Sequence, residues 1–458
     1  MSNRIAVVGA GFCGTVMAAN LLRRPPPNVT EIVLIERSSV MGRGMAYAVH
    51  DFPYLLNVPA GRLSADSQDP LQFWRFAQRT MPDSDPEDFL PRRLYGDYLQ
   101  EFLSKAEQES SRRVSLSRLF GEVTGIAGGE GNEPLTLSFA GREPIQAQRA
   151  ILALGNPPPQ VPPWAEAVRD HPAYRGDPLD LPANLNSEHS VLIIGNGLTM
   201  VDVAFYFARD AARMPRLMTV SRRGLIPLQQ SVFRASAVQG GAEFFDGAAS
   251  VREILAASRA LAREVEHHGG DWREVITFIR NLAPSLWQRL PESERRRFLR
   301  HLQSYWDVHR HRLPEQLAAR IERLRGSGSL EINAGRILQL TPAGDQVRVT
   351  WRRRGRAAPD TLVVDAVINA TGPDYAIKRS RNPLLQALRT DGLVSEDALD
   401  LGLRTASHGA CIAADGRASE RLYYLGPMLR AGHWEATAAA ELRNHAEALA
   451  RYLAEHAP

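Results

Sequence analysis

The chain has 458 residues, 44% of them hydrophobic and 23% charged, which is an ordinary composition for a globular protein of two or three domains. The net charge of +4 comes from arginines scattered along the chain without an accompanying aromatic stripe, so we expect no nucleic-acid partner. No apolar run reaches the roughly 18 residues of a membrane span and no signal segment precedes the first predicted strand, so we expect a cytoplasmic protein with no membrane partner.

The first predicted element is a strand, a tight turn and a helix. A short apolar run leads into Gly9, Gly11 and Gly14, and a helical pattern follows. In such a G-x-G-x-x-G array the first glycine allows the turn, the second admits a pyrophosphate, and the third lets helix and strand pack closely. A second apolar run ends in Glu36, with Arg37 beside it, about 20 residues past the glycines, where an acid binds a ribose hydroxyl pair. The unit predicts a dinucleotide on the helix N-terminus.

The segment after Arg37 predicts a second close approach of backbone to a ligand. Gly44 follows Arg43, and Tyr47 comes three residues later. Asn57 then stands in an apolar stretch that ends in a glycine, as the enclosure of a ring system requires. A plain loop is the alternative. Residues 70–108 are typical of helices, and their aromatic side chains of core.

Short alternating runs between residues 114 and 150 predict antiparallel strands joined by glycine-rich turns, one of them at 128–131. They lead into a buried strand that ends at Leu154 and Gly155, where small residues allow a dinucleotide to lie close. The proline-rich residues 157–163 then indicate a rigid linker.

A second strand, turn and helix contains Gly195 and Gly197, with Met200 at the third glycine position. The repeat predicts a second dinucleotide, and Met200 predicts looser packing of helix on strand. The following strand ends not in an acid but in Arg222 and Arg223, which pair with a 2′-phosphate, so NADPH is favoured over NADH. A pair of surface arginines without that role is the alternative.

Residues 236–325 are predicted to be helical, and we interpret them as a lid or a substrate-side subdomain. Asp307, His309 and His311 are spaced i, i+2 and i+4, which does not place all three on one helix face, so we expect no metal site.

Strands resume at about residue 330. A buried apolar run leads into Ala370-Thr371-Gly372, and we expect this strand to be the counterpart of the strand that ends at Gly155. A last strand runs into Gly426 and Pro427, which build a further N-terminal anion or carbonyl site. We therefore predict an α/β fold with two Rossmann-like dinucleotide-binding domains and a helical insertion. The predicted domains are 1–163 (first part of the FAD domain), 186–235 (first part of the NAD(P)H domain), 236–325 (helical insertion), 326–360 (return strands) and 361–458 (C-terminal part of the FAD domain).

Together the two G-x-G motifs, the Ala-Thr-Gly strand and the Gly-Pro stretch resemble the flavoproteins that bind two dinucleotides. More narrowly, GRGMAY, LNVPAGRLSAD, GNGLTMVD, SRRGLIP, YWDVHRHR and GHWEATAAAELR resemble the bacterial FAD/NAD(P)-binding family that contains the FAD-dependent urate hydroxylases. The resemblance implies FAD at the first site and NADPH at the second. The residues implied for FAD are Gly9, Gly11, Gly14, Glu36, Arg37, Arg43, Gly44, Tyr47, Asn57, Gly155, Gly372, Gly426, Pro427 and Trp434; those for NADPH are Gly195, Gly197, Arg222 and Arg223.

Such a pair of sites implies a single-component monooxygenase that uses dioxygen, through a flavin hydroperoxide, to hydroxylate a small nitrogen-containing or aromatic substrate. Asn57, Arg62 and His433 are candidates for shaping that step. The alternatives are an oxidoreductase that passes electrons to a quinone or protein acceptor, and a flavoprotein without turnover. The two cysteines, Cys13 and Cys411, form no C-x-x-C pair, which disfavours a disulfide acceptor. A homodimer is left open.

Overall fold

The computed structural model describes residues 3–48, 52–110, 113–129, 131, 133–231, 238 and 240–456. The chain divides into two compact units. The first comprises Met1–Pro157 and Tyr375–Pro458, and the second is Pro158–Asp374. Within the described ranges no helix is both long and apolar enough to cross a bilayer.

The elements of each unit follow in chain order. The N-terminal part of the first unit contains β1 (Arg4–Val8), α1 (Phe12–Arg23), β2 (Glu31–Glu36), α2 (Gln72–Ala77), α3 (Arg92–Glu109), β3 (Ser115–Phe120), β4 (Val123–Gly128), β5 (Leu135–Phe139), β6 (Arg142–Ala147) and β7 (Arg149–Leu152). The second unit contains β8 (Tyr174–Arg175), β9 (Ser190–Ile194), α4 (Leu198–Phe207), β10 (Arg216–Ser221), α5 (Val251–His267), α6 (Trp272–Arg289), α7 (Glu292–His301), α8 (Gln303–Arg310), α9 (Glu315–Gly326), β11 (Leu330–Ala343), β12 (Gln346–Arg353), β13 (Asp360–Val364) and β14 (Ala366–Asn369). The first unit resumes with α10 (Pro383–Thr390), β15 (Ala410–Ile412), β16 (Ala418–Tyr424) and α11 (Ala439–Glu455).

The main sheet of the first unit has the strand order β15-β16-β7-β1-β2-β3, and every neighbouring pair except β15-β16 is parallel. All four residues of β7 and four of the five in β1 are buried, which explains why these strands are continuous apolar runs rather than alternating ones. Helix α1 packs against both α3 and α11. Strands β4, β5 and β6 form a separate antiparallel sheet, in the region where the sequence predicts antiparallel strands.

The sheet of the second unit has the order β13-β12-β11-β10-β9-β14-β8. Strands β9, β10 and β11 run parallel, and β11 turns back through the antiparallel pairs β11-β12 and β12-β13. Helices α5 to α9 lie between β10 and β11 in the chain. Capping boxes begin two of them, with Ser250 and Glu253 at α5 and Asp271 and Glu274 at α6.

One strand, β14, is assigned to the wrong domain by the predicted domain limits. The sequence places the Ala-Thr-Gly strand, now β14, in the FAD domain, but β14 pairs with β9 in the second unit, with Asn369 opposite Ile194. The chain therefore passes from the first unit to the second between residues 157 and 158, and returns between residues 374 and 375. The predicted limits of the FAD domain are 163 and 361. The cause is tertiary, because two buried apolar strands ending in small residues and glycine look alike until their hydrogen-bonded neighbours are known. The predicted junction at 235/236 lies outside the described residues.

Candidate functional site

The loop between β1 and α1 needs glycine at two positions because backbone atoms stand where a side chain would be. Gly9 has a φ of 103°, and a Cβ there would lie 2.3 Å from the carbonyl oxygen of Ala153. A Cβ on Gly14 would lie 1.8 Å from the oxygen of Gly9. Gly11 is the N-cap of α1, and the nearest atom to a Cβ there is the Cα of Gly44, at 3.5 Å. The loop is thus tightly packed at Gly9 and Gly14, whereas at Gly11, at the N-terminus of α1, a Cβ would meet only ordinary van der Waals contacts.

Glu36 lies beside this loop at the end of β2. Its carboxylate accepts hydrogen bonds from the backbone N–H groups of Ala10, at 2.8 Å, and Ser38, at 2.9 Å. The acid is therefore held next to the glycine turn, where the ribose of a dinucleotide would lie. Arg37 has a 64% exposed side chain and forms a surface ion pair with Glu122 at 4.0 Å, which contributes little to stability.

The segment after β2 contacts the glycine loop through backbone atoms of both segments. The N–H of Gly42 donates to the carbonyl oxygen of Ala10 at 2.7 Å. Gly44 has a φ of 55°, and a Cβ there would lie 3.1 Å from the Cα of Gly11. Because the two segments meet at glycines, a side chain on Gly44 would press against the backbone of Gly11, whereas a Cβ on Gly11 would make only an ordinary van der Waals contact.

Arg43 is committed to α3 rather than to the glycine loop. Its guanidinium forms an ion pair with Asp97 and donates to Gln100 at 3.3 Å. The ring of Tyr47 packs edge-on against Tyr95, with ring centroids 4.7 Å apart, and burial raises the pKa of the Tyr47 hydroxyl. Both side chains anchor the segment on α3, and the predicted contacts along a flavin stay predictions.

Two of the three predicted catalytic candidates are exposed. Asn57 is exposed in the loop that precedes a short 3₁₀ turn at Ala60–Arg62. Arg62 donates to both carboxylate oxygens of Glu87 at 3.0 Å, and both side chains are more than half exposed. These contacts explain Arg62 as part of a surface ion pair.

The carboxyl ends of β7 and β16 lie next to each other, and β7 is also the neighbour of β1. Tyr424 stands opposite Leu152 in the parallel pair. Beyond β7, Gly155 has a φ of 69°, and a Cβ there would meet no described atom within 4 Å. Beyond β16, a Cβ on Gly426 would lie 2.6 Å from the hydroxyl of Tyr424, and the 3₁₀ turn Pro427–Ala431 follows. The predicted residues Gly155, Gly426 and Pro427 therefore lie at one edge of the sheet.

The turn after β16 holds a cation, Arg430, that is not among the predicted site residues. The guanidinium carbon of Arg430 lies 4.3 Å from the ring centroid of Trp434 and 4.9 Å from that of Tyr375. The Tyr375 hydroxyl donates to the side-chain oxygen of Asn156, at 3.0 Å, and Asn156 directly follows Gly155. The only sequence signal was the position of Arg430 inside the Gly-Pro stretch.

His433, the third catalytic candidate, faces a second histidine. Its ring lies edge-on to His445 of α11, with centroids 4.8 Å apart. Burial lowers the pKa of His433, and burial together with the charge of His433 lowers the pKa of His445 to about 4. Both line a small cavity of about 20 Å³, which is room for about one water molecule. The pair is therefore neutral near pH 7, and His445 had no sequence signal.

The second glycine loop repeats the first within the second unit. Gly195 has a φ of 112°, and a Cβ there would lie 2.2 Å from the carbonyl oxygen of Ala370. Gly197 is the N-cap of α4, and a Cβ there would meet no described atom within 4 Å. Met200 is fully buried. Gly372 follows β14 beside this loop, in the second unit rather than in the first, so its predicted contact with FAD stays a prediction.

The strand after this loop shows which residue replaces Glu36. The N–H of Gly195 donates a hydrogen bond to the carbonyl oxygen of Val220 at 3.0 Å. In the same way, the N–H of Gly9 donates to the carbonyl oxygen of Ile35 at 2.8 Å. Val220 therefore corresponds to Ile35, and Ser221 stands where Glu36 stands in the first loop. No acid occupies the ribose position of the second loop.

Arg222 and Arg223 differ in their surroundings. Arg222 is exposed, and no described residue forms a hydrogen bond or ion pair with it. Arg223 donates to the carbonyl oxygens of His301, at 3.0 Å, and Arg300, at 3.3 Å, and lies over the ring of Tyr305 at 4.9 Å. Arg223 thus binds the C-terminus of α7, whereas Arg222 is available to a ligand.

No group of three or more histidine, cysteine, aspartate or glutamate side chains in the described part of the chain is arranged to hold a metal ion. Cys13 and Cys411 are both buried, and burial raises the pKa of each thiol to about 12. Neither is suited to act as a nucleophile near neutral pH.

Comparisons with known proteins agree with this architecture. Residues 6–157 match the FAD-NAD(P)-binding family. The fold is a mixed α/β fold with two dinucleotide-binding units, and it is similar to solved structures of an ornithine N-hydroxylase and of two monooxygenases. No curated protein matches the chain by sequence.

Three solved structures are similar to this chain over nearly its whole length. The ornithine N-hydroxylase of Kutzneria sp. 744, solved with reduced FAD, NADP+ and L-ornithine, is 14% identical with a TM-score of 0.62, and 99% of each chain is covered. The L-lysine 6-monooxygenase of Pseudomonas syringae is 15% identical with a TM-score of 0.66, again over 99% of each chain. The cadaverine monooxygenase of Erwinia amylovora, bound to FAD, is 12% identical with a TM-score of 0.65, over 100% of this chain and 95% of its own.

Proposed function

We propose that the chain is an FAD-dependent, NADPH-using monooxygenase that hydroxylates a small nitrogen-containing or aromatic substrate with dioxygen. The observation that carries the proposal is the pair of glycine loops, each at the carboxyl end of a buried parallel strand and each leading into a helix N-terminus. One dinucleotide site followed by an acid and a second followed by arginines is the arrangement that a flavin and its NADPH reductant require.

The residues of the first unit fit FAD. Gly11 and Gly155 lack the side chains that would block the carboxyl edge of the sheet, and Glu36 is positioned for the ribose. When bound, FAD would supply the redox chemistry, and the protein would supply orientation and a site that excludes water. In the second unit, Gly197 would admit the pyrophosphate and Arg222 the 2′-phosphate of NADPH.

The three similar structures support the substrate class. Their names specify ornithine, lysine and cadaverine, all small molecules that carry a primary amine. We infer that this chain also acts on a small amine, and we retain urate as the narrower alternative that the sequence resemblance favours.

The first test uses the purified protein. Its flavin is released and identified, and the bound form is then reduced anaerobically with NADPH and with NADH. Aerobic NADPH consumption and hydrogen peroxide are next measured with ornithine, lysine, cadaverine or urate, and products are examined by mass spectrometry for the gain of one oxygen atom.

We expect bound FAD, faster reduction by NADPH than by NADH, and at least one compound that lowers the peroxide yield while gaining oxygen. Absence of FAD would refute the proposal. Rapid oxidation by a quinone, with no oxygenated product from any small amine or aromatic tested, would instead favour the oxidoreductase alternative.

A further inference from the structure

The sheet of the first unit indicates on which side of the glycine loop the flavin half of FAD lies; this step rests on the proposed function. Glu36, the ribose residue, ends β2 on one side of β1. On the other side of β1 lie β7 and then β16. A pyrophosphate bound at the loop after β1, with its ribose at Glu36, would leave the rest of the dinucleotide to extend away from β2, over the carboxyl ends of β7 and β16.

Arg430 lies at this edge and is held there from two sides. Trp434 and Tyr375 contact its guanidinium through their ring faces, and the hydroxyl of Tyr375 is bound to Asn156 beyond β7. Aromatic ring faces hold a guanidinium in place by attracting its positive charge. Unlike a carboxylate, they do not neutralise that charge.

The charge of Arg430 is not balanced within the described residues. No acid among them pairs with it, and its Nε is buried without a hydrogen-bond acceptor. A buried N–H without a partner costs free energy, so a cation held this way favours an anionic or acceptor group of a ligand. The flavin presents such a group when reduced, because its negative charge then lies on the N1 and C2 carbonyl side of the ring.

We propose that Arg430 contacts the flavin ring of bound FAD and stabilises the negative charge of its reduced form, thereby raising the reduction potential. It would act as a fixed electrostatic group, positioned by two aromatic rings before the charge develops. Trp434, predicted from the sequence to contact FAD, would then act chiefly by positioning Arg430.

The test compares three variants loaded with FAD. Arg430→Gln removes the charge, Arg430→Lys keeps it, and Arg417→Gln removes the charge of a surface arginine with an 89% exposed side chain and is the matched control. The midpoint potential is measured by equilibration with a redox dye. The N1 ionisation of the reduced flavin is followed by absorbance as the pH is varied.

For Arg430→Gln we expect the reduced anion to be about tenfold less favoured. That change corresponds to a midpoint potential about 30 mV lower for a two-electron couple, and to an N1 pKa about one unit higher. Arg430→Lys should recover most of both shifts, and Arg417→Gln should show neither. An unchanged potential and N1 pKa in FAD-loaded Arg430→Gln would overturn the proposal.

A measurement on the unaltered protein covers the case in which Arg430→Gln does not retain FAD. The N1 proton of its reduced flavin should ionise at a lower pH than that of free FAD in the same buffer. Bound FAD with an unshifted N1 ionisation would overturn the role of Arg430 and leave the proposed function intact. A protein without bound FAD would instead refute the proposed function.

Discussion

The different surroundings of Arg222 and Arg223 lead to a prediction that separates cofactor choice from stability. Arg222→Gln removes the exposed guanidinium next to Ser221, whereas Arg223→Gln removes the one that binds the end of α7. We expect the first variant to lose discrimination between NADPH and NADH, and the second to keep it.

The magnitudes follow from the contacts. A charge-assisted hydrogen bond contributes about 1.5–3 kcal/mol, and the exposure of Arg222 favours the lower end. A loss of about 1.5 kcal/mol raises the KM for NADPH about tenfold and leaves that for NADH unchanged. Arg223 combines an exposed cation–π contact with hydrogen bonds to a helix C-terminus, together about 1 kcal/mol. Its loss should lower the melting temperature by about 3 °C in a unit of this size.

The assay is the ratio of kcat/KM for NADPH to that for NADH, with thermal unfolding measured on the same preparations. Arg222→Lys serves as the charge-preserving control and should retain most of the ratio. The reasoning is refuted if Arg223→Gln abolishes the preference at an unchanged melting temperature, or if Arg222→Gln leaves the ratio as it was.

Three further predictions concern packing and pH. Gly14→Ala should destabilise the protein, because its Cβ would lie 1.8 Å from a carbonyl oxygen. Gly11→Ala should keep its melting temperature but bind less FAD, because the nearest atom to its Cβ is 3.5 Å away. Equal melting temperatures for the two variants would contradict this account. Met200→Ala should cost about 3 kcal/mol in urea unfolding, since the side chain is fully buried; a cost below about 1 kcal/mol would show the loose packing that the sequence suggests. The pKa of His445 is about 4 in the folded state and about 6.5 in the unfolded state. As the pH falls, the unfolded state therefore binds the proton first. The free energy of unfolding should fall by at most about 2 kcal/mol from pH 7 to pH 5. His445→Gln should show a flatter profile, and identical profiles would exclude this histidine as the cause.

The features that the sequence predicted well are those decided by local chemistry. Gly9 and Gly195 need a left-handed φ, and each follows an apolar run that is buried in a parallel sheet. A turn residue and the strand before it lie within one stretch of chain, so pattern and spacing are sufficient to predict both.

The features that the sequence could not predict depend on partners far along the chain. The ion-pair partner of Arg43, Asp97, lies 54 residues away on α3, so no residue near Arg43 in the sequence indicates this contact. Arg223 was indistinguishable from Arg222 until α7 brought His301 against it, 78 residues later. The strand β14 was misassigned for the same reason, because its pairing with β9 is a property of the folded sheet.

The insertion of the second unit into the chain of the first has a consequence for how the protein folds during synthesis. The N–H of Asp374 donates to the carbonyl oxygen of Pro158 at 3.2 Å, so the two ends of the inserted unit are adjacent. During synthesis on a ribosome the whole second unit emerges before β16 does. Until then β7 lacks one of its two neighbouring strands, β16. The insert can complete its own sheet first, and the main sheet of the outer unit is completed only after β16 has been synthesised. Adjacent ends also mean that a short linker could bridge the outer unit if the insert were excised.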